Sequence, residues 1–213
     1  MNAQTFAPPP LYAPERLALR PLDSPEQLKP RDQIARNRWR HFAREAIETL
    51  ALTLIVFFLI RLVVQNFRIE GASMEPNLHD GQFLIINKFV YQSVKPQRGD
   101  VVVFRYPPDP ARDFIKRVIA LPGDRVVVAH GRVMVNGAWL DEPYPLNPGS
   151  YSFEQAIVGA DELFVLGDNR NYSSDSHTWG MLPFENVIGK AWLSYWPPDF
   201  FGWVQEYSYA AAP

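Results

Sequence analysis

Three segments of this chain carry residue types suited to acyl-transfer chemistry. Ser73 lies in Gly71-Ala-Ser-Met-Glu-Pro-Asn-Leu78, among small residues that let another backbone approach. Lys116 lies in Asp113-Phe-Ile-Lys-Arg-Val-Ile-Ala-Leu-Pro-Gly-Asp124. The third segment, Leu166-Gly-Asp-Asn-Arg-Asn-Tyr-Ser-Ser-Asp-Ser-His-Thr-Trp-Gly180, is a polar loop dense in hydroxyls and carboxylates. A serine hydroxyl beside a neutral amine can attack a carbonyl, because the amine takes the hydroxyl proton. For a lysine to act near neutral pH it must fall about 3 below its reference near 10.4, at a cost of roughly 4 kcal/mol.

Each segment also has a plainer reading. A serine in a Gly/Ala/Pro loop is usually a turn residue. On a strand, Phe114, Lys116 and Val118 share a face. Lys116 is then either an exposed edge lysine that discourages aggregation or a lysine held in an apolar pocket, where burial disfavours the ammonium. The third loop could serve only as hydrogen-bonded turns. As a calcium loop it fails, since Arg170 stands where an oxygen ligand is needed and no bidentate glutamate closes it. A Ser/His/Asp triad using His177 is conceivable, although three parts rarely come from so short a stretch.

Composition narrows the chemistry. The sequence contains no cysteine, which excludes disulfides, thiolate catalysis and Cys-ligated zinc. Its four histidines are scattered and no HExxH occurs, so neither a metal nor a cofactor is expected. The net charge is −2 and the pI about 6.1, which argues against a nucleic-acid partner.

The elements that must position these residues follow from patterning. Residues 1–30 contain seven prolines and read as a flexible tail. Arg31, Arg36, Arg38, Arg40 and Arg44 form a basic segment over 31–45. Residues 46–64 are apolar apart from Glu48 and Arg61, which lie near the ends where long side chains can snorkel. That length suits a single transmembrane helix. The arginines before it, and Glu70, Glu75 and Asp80 after it, put the N-terminus in the cytoplasm and residues 65–213 on the other side.

That larger part reads as β. Strands are expected at Phe83–Ile86, Asp100–Phe104, Phe114–Ala120, Arg125–Ala129, Glu162–Leu166 and Val187–Tyr195, all rich in branched and aromatic residues. Asn136-Gly137 between Arg132–Val135 and Ala138–Leu140 predicts a type I′ hairpin. The aromatic stretch from Trp192 to Trp203 reads first as strand and core packing, and second as a patch that seats on a membrane surface.

Taken together and in this order, the segments resemble the type I signal peptidases. Ser-Met-Glu-Pro-Asn-Leu is similar to that family's nucleophile box, Gly99–Phe104 to a structural box, Phe114–Asp124 to its lysine box and Gly167–Gly180 to its last box. The resemblance implies a mainly β fold of coiled sheets with a small SH3-like barrel, behind one transmembrane helix. It implies a serine endopeptidase that removes signal peptides from exported preproteins after small residues at −1 and −3, in a bacterial plasma or thylakoid membrane. Its partners would be preprotein signal peptides and the lipid bilayer. Ser73 matches the nucleophile, Lys116 the general base, Ser173 the serine that orients the lysine, and Asp175 a supporting carboxylate. Gly167, Asp168, Asn169 and Arg170 match a structural stretch. The family's substrate pockets correspond to Phe67, Ile69, Met74, Leu78, Phe114 and Ile115.

Three departures stand out. The oxyanion of acyl transfer needs donors. The Ser73 N–H supplies one, but the position that carries a serine hydroxyl in some members is Gly71 here. Asn77 replaces a usual threonine, and His177 stands where an arginine often pairs with Asp175. One alternative is an inactive anchored partner that only holds preproteins, against which the intact Ser73, Lys116 and Ser173 set argues; another is a self-cleaving Ser/Lys regulator related to SOS repressors, against which the membrane anchor and the lack of a helix-turn-helix argue.

Overall fold

The computed structural model describes residues 31–207 and 209, so the Pro-rich stretch 1–30 lies outside the described residues. Contacts divide the chain into two units that meet between Leu54 and Ile55.

Helix α1 (Arg31–Val63) takes in the arginines and the apolar run together. Its Arg38–Val63 portion, 26 residues, is long and apolar enough to cross a membrane by length and composition. Large side chains all round it are exposed, among them Leu50, Ile55, Phe58 and Leu62. Val64, included in the expected anchor, is the first residue of β1 (Val64–Arg68).

The strands form two antiparallel sheets, a mainly β fold behind one apolar helix as the sequence implies. The larger sheet runs in the order β1, β2 (Phe83–Asn87), β11 (Val187–Trp196), β3 (Val101–Arg105), β4 (Asp113–Ala120), β9 (Glu162–Leu166), β10 (Leu182–Pro183), with β12 (Gly202–Trp203) against β11. The smaller sheet contains β7 (Ala138–Trp139), β6 (Arg132–Val135), β5 (Arg125–Ala129) and β8 (Phe153–Ile157). The β6–β7 hairpin turns at Asn136 (φ 55°) and Gly137 (φ 86°), the positive angles that a type I′ turn requires.

Strand β3 explains how the larger sheet is buried on both sides. Its side chains alternate, so Val101 and Val103 enter one apolar cluster with Leu84, Ile86 and Ile115. Val102 and Phe104 enter another with Val118, Leu163 and Val165. Strand β4 lies between β3 and β9, and every residue from Ile115 to Ala120 is buried. Lys116 lies opposite Val102, and Phe114 opposite Phe104, so the lysine shares its face with Phe114 as strand alternation expects.

The C-terminal aromatics depart from the core-packing expectation. Trp192, Trp196, Phe200, Phe201 and Trp203 lie on β11, β12 and the turn between them, and all are exposed.

Candidate active site

The β4–β9 ladder begins only at Arg117 opposite Leu166, so β4 from Asp113 to Lys116 is unpaired on that side. The turn bearing Ser73 closes against this opening. Lys116 Nζ lies 2.8 Å from Ser73 Oγ, and it donates to the Ile115 carbonyl at 2.7 Å. The Phe114 ring lies 5.3 Å from the same nitrogen. Lys116 is only 3% exposed. Burial is the main influence on its basicity and lowers its pKa from 10.5 to about 8, against the opposing pull of the Asp175 and Asp168 charges.

The Ser73 turn is held by its backbone. The Asn169 N–H donates to the Ser73 carbonyl at 3.0 Å, and Asn169 Nδ2 donates to the Ala72 carbonyl at 3.1 Å. Asn77 Nδ2 donates to Asp168 Oδ2 at 2.8 Å and to the Pro145 carbonyl at 2.7 Å. The threonine-to-asparagine departure therefore joins the nucleophile turn to the loop after β9. Asp168 also accepts a two-pronged contact from Arg117, at 2.8 and 2.7 Å. Both partners are buried, and such a pair fixes orientation as well as charge.

Asp175 is fully buried and works locally. One oxygen accepts from the Gly167 N–H at 2.9 Å, and the other faces His177 Nδ1 at 2.6 Å and caps the short helix α2 (Ser176–Trp179). Because a carboxylate only accepts, Nδ1 carries the proton, and Nε2 lies 3.1 Å from Thr178 Oγ1. The imidazole stacks on Tyr151 with ring centroids 3.8 Å apart. The imidazole thus satisfies Asp175 at the position where an arginine often stands. Arg170 is buried and joins the Gly167 carbonyl to the Gly131 carbonyl of the smaller sheet and to Glu142.

Ser173 is brought to the site but is not bonded to Lys116. Its Oγ is buried and has no hydrogen-bond partner among the described residues. It stands over Gly167, where a β-carbon would come within 2.3 Å of it.

A groove of about 490 Å³ runs past the pair, walled by Phe67, Phe114, Ile115, Tyr172 and Ser174. Three of the expected pocket residues therefore line it. Ile69, Met74 and Leu78 instead fill the core beneath the turn. Tyr172 and Ser174 were not singled out from sequence, since both look like ordinary loop residues there. Gly71 has a φ of +90°, a conformation that side chains disfavour, so a hydroxyl-bearing residue would be strained at this position. The Ser73 N–H makes no hydrogen bond among the described residues and remains available to an oxyanion.

The family described as signal peptidase, peptidase S26, matches residues 43–196. A signal peptidase I of Leptolyngbya laminosa is 42% identical over 166 residues, which is 74% of this chain and 82% of that protein. A probable signal peptidase I-2 of Synechocystis is 40% identical over 188 residues, 85% of this chain and 84% of the relative. A solved signal peptidase I from Enterococcus faecalis is 30% identical, with a TM-score of 0.41, over 46% of this chain and 97% of that one. With the family match spanning most of the sequence and identity near two-fifths across most of both cyanobacterial relatives, this chain belongs to the signal peptidases of peptidase family S26, which are serine hydrolases.

Proposed function

We propose that this chain removes N-terminal signal peptides from exported preproteins, with Ser73 as nucleophile and Lys116 as general base. The observation that carries this reading is the 2.8 Å approach of Lys116 Nζ to Ser73 Oγ. Neutral Lys116 takes the Ser73 proton as Oγ attacks the scissile carbonyl. The tetrahedral oxyanion forms against the Ser73 N–H. The ammonium then protonates the departing amine of the mature protein, leaving an acyl-enzyme. Lys116 next takes a proton from water as the water oxygen attacks the acyl carbon, and returns it to Ser73 Oγ as the Oγ–carbon bond breaks and the signal peptide leaves as a carboxylic acid. No third group is needed to set a tautomer, as it would be for histidine.

Ser173 and Asp175 support the pair in this reading, Asp175 through Gly167 and Ser173 by packing against the same glycine. The unpaired edge of β4 at Asp113–Lys116 suits an extended peptide, whose backbone can pair with it while alternate side chains enter the groove. Phe67, Phe114 and Ile115 crowd the groove beside Ser73, which favours small residues at −1 and −3. Helix α1 anchors the chain in a bilayer, with the arginines of residues 31–45 on the cytoplasmic side and the β-rich part, from residue 65 onward, exoplasmic.

The test incubates the detergent-solubilised chain with a preprotein bearing an Ala-x-Ala site. Wild type cuts after the second alanine, and Ser73→Ala and Lys116→Ala do not. Equal cutting by either variant refutes the dyad.

A further inference from the structure

We propose that Glu206, Tyr207 and Tyr209 form a positioning strap for Lys116, closing the face of β4 opposite the groove with the Tyr207 ring laid over Arg117 and Tyr209 packed behind it on Gly99 and Tyr144. The proposal rests on the reading of Lys116 as the general base.

Adjacent residues on a strand point to opposite faces, so Arg117 turns away from the groove. Its guanidinium is enclosed on every side. Asp168 takes one edge, and the Gly99 carbonyl accepts from Nη1 at 2.9 Å. The Tyr144 ring lies 4.2 Å from the guanidinium carbon and the Tyr207 ring 5.5 Å from it. Tyr144 meets Tyr207 at 5.4 Å and Tyr209 at 6.2 Å between centroids. These aromatic faces attract the cation and shield it from water, leaving Arg117 1% exposed.

The strap is fitted closely and fastened. A β-carbon on Gly99 would lie 2.6 Å from the Tyr207 carbonyl and 2.8 Å from the Tyr209 ring, so the segment lies directly on that backbone. Lys190 on β11 bridges Asp100 at 2.8 Å and Glu206 at 2.7 Å. Asp100 in turn accepts from Tyr91 at 2.9 Å.

Arg117 connects this cover to both halves of the dyad. It is the chain neighbour of Lys116, and through Asp168 it steadies Asn169, whose N–H holds the Ser73 carbonyl. The groups facing Lys116 are Ser73 from the nucleophile turn, Phe114 from its own strand, and Asp168 and Asp175 from the loop after β9. Burial outweighs the two carboxylates in setting its basicity. Lifting the strap admits water behind β4, so the ammonium becomes easier to hold and Lys116 titrates at a higher pH.

The experiment uses the full chain in detergent with Tyr207→Ala, Tyr209→Ala, the double variant and the matching Phe substitutions. Two readouts are taken: kcat and KM against pH on a preprotein, and the titration of Lys116 by carbon NMR, which five lysines make tractable. The alanine variants are expected to lose about 10-fold in kcat with KM little changed, and to move the acid limb and the Lys116 midpoint up by about one pH unit. Phe restores both, because the Tyr207 ring covers Arg117 and the Tyr209 ring packs behind it, and neither hydroxyl is needed for this. An unmoved Lys116 midpoint, or Phe variants that behave like Ala, overturns the strap even if melting temperature falls. Should the double variant fail to fold, Tyr207→Ala alone decides by the same midpoint. If wild type does not cleave, the dyad reading fails, while the NMR midpoint still tests the strap.

Discussion

The Ser73 carbonyl oxygen stands 2.5 Å from the point that a β-carbon on Gly167 would occupy. The nucleophile turn and the loop after β9 therefore meet backbone to backbone, with Ser173 pressed onto the same glycine. Gly167→Ala must push Ser73 away from Lys116. Since a misplacement near 1 Å can cost about 100-fold, kcat/KM should fall by at least about that factor. Steady-state kinetics with an accompanying melting curve checks this, and near-normal activity would contradict the contact.

Activity should rise with pH as Lys116 loses its proton. With burial lowering its pKa to about 8, the acid limb of kcat/KM should be half-maximal near that pH. A limb centred near 6 would point to a histidine instead.

The same lysine should weaken the fold at neutral pH. Its folded pKa lies below the unfolded value of 10.5, so the unfolded chain binds more protons between about 8 and 10.5 and stability rises with pH through that window. Lys116→Met should abolish cleavage yet stabilise the chain at pH 7 by on the order of 3 kcal/mol, a gain that disappears as pH approaches 10.5. Chemical denaturation at pH 7 and 10 measures both ends of the window.

Asp175→Asn should move the acid limb in the opposite direction from strap removal. The Asp175 charge supports the Lys116 ammonium, so removing it lowers the pKa of Lys116 further and shifts the limb below 8. The amide cannot accept from both Gly167 and His177 as the carboxylate does, so kcat should fall as well. A pH–rate profile separates the two effects.

Asn77→Ala removes the donor that Asp168 Oδ2 and the Pro145 carbonyl share, leaving Asp168 held by Arg117 alone. Destabilisation of about 1–3 kcal/mol is expected, with a drop in kcat as the turn loosens. Urea unfolding and kinetics on the same preparation test it, and an effect on stability with kcat unchanged would show that Asn77 does not steady Ser73.

Much of this site was legible in sequence because its elements follow local rules. Asn136-Gly137 dictated its hairpin, and the branched residues of β3, β5 and β9 dictated strands. Lys116 between Phe114 and Val118 raised a buried amine as one of two readings, and its 3% exposure decides for it. Other features depended on distant contacts. Strand β1 was hidden because Val64 continues the apolar run of α1 without a break. Strand β8 was hidden because it is mostly exposed and pairs only with β5. The links made by Asn77 and Asn169 span 68 to 97 residues, and no local pattern marks which carbonyl a given amide will reach. Ile69, Met74 and Leu78 were assigned to the groove because apolar residues near a nucleophile suit either a pocket or a core, and only the turn's orientation separates the two.

Gly71 has one more consequence, for selective inhibition. Nothing lies within 4 Å of where its β-carbon would stand, and Gly71 lines the groove beside Ser73. That empty corner is a feature of shape that relatives carrying serine there do not share. An electrophile whose scaffold brings its own hydroxyl into this corner would complement this enzyme and collide with a side chain in those relatives.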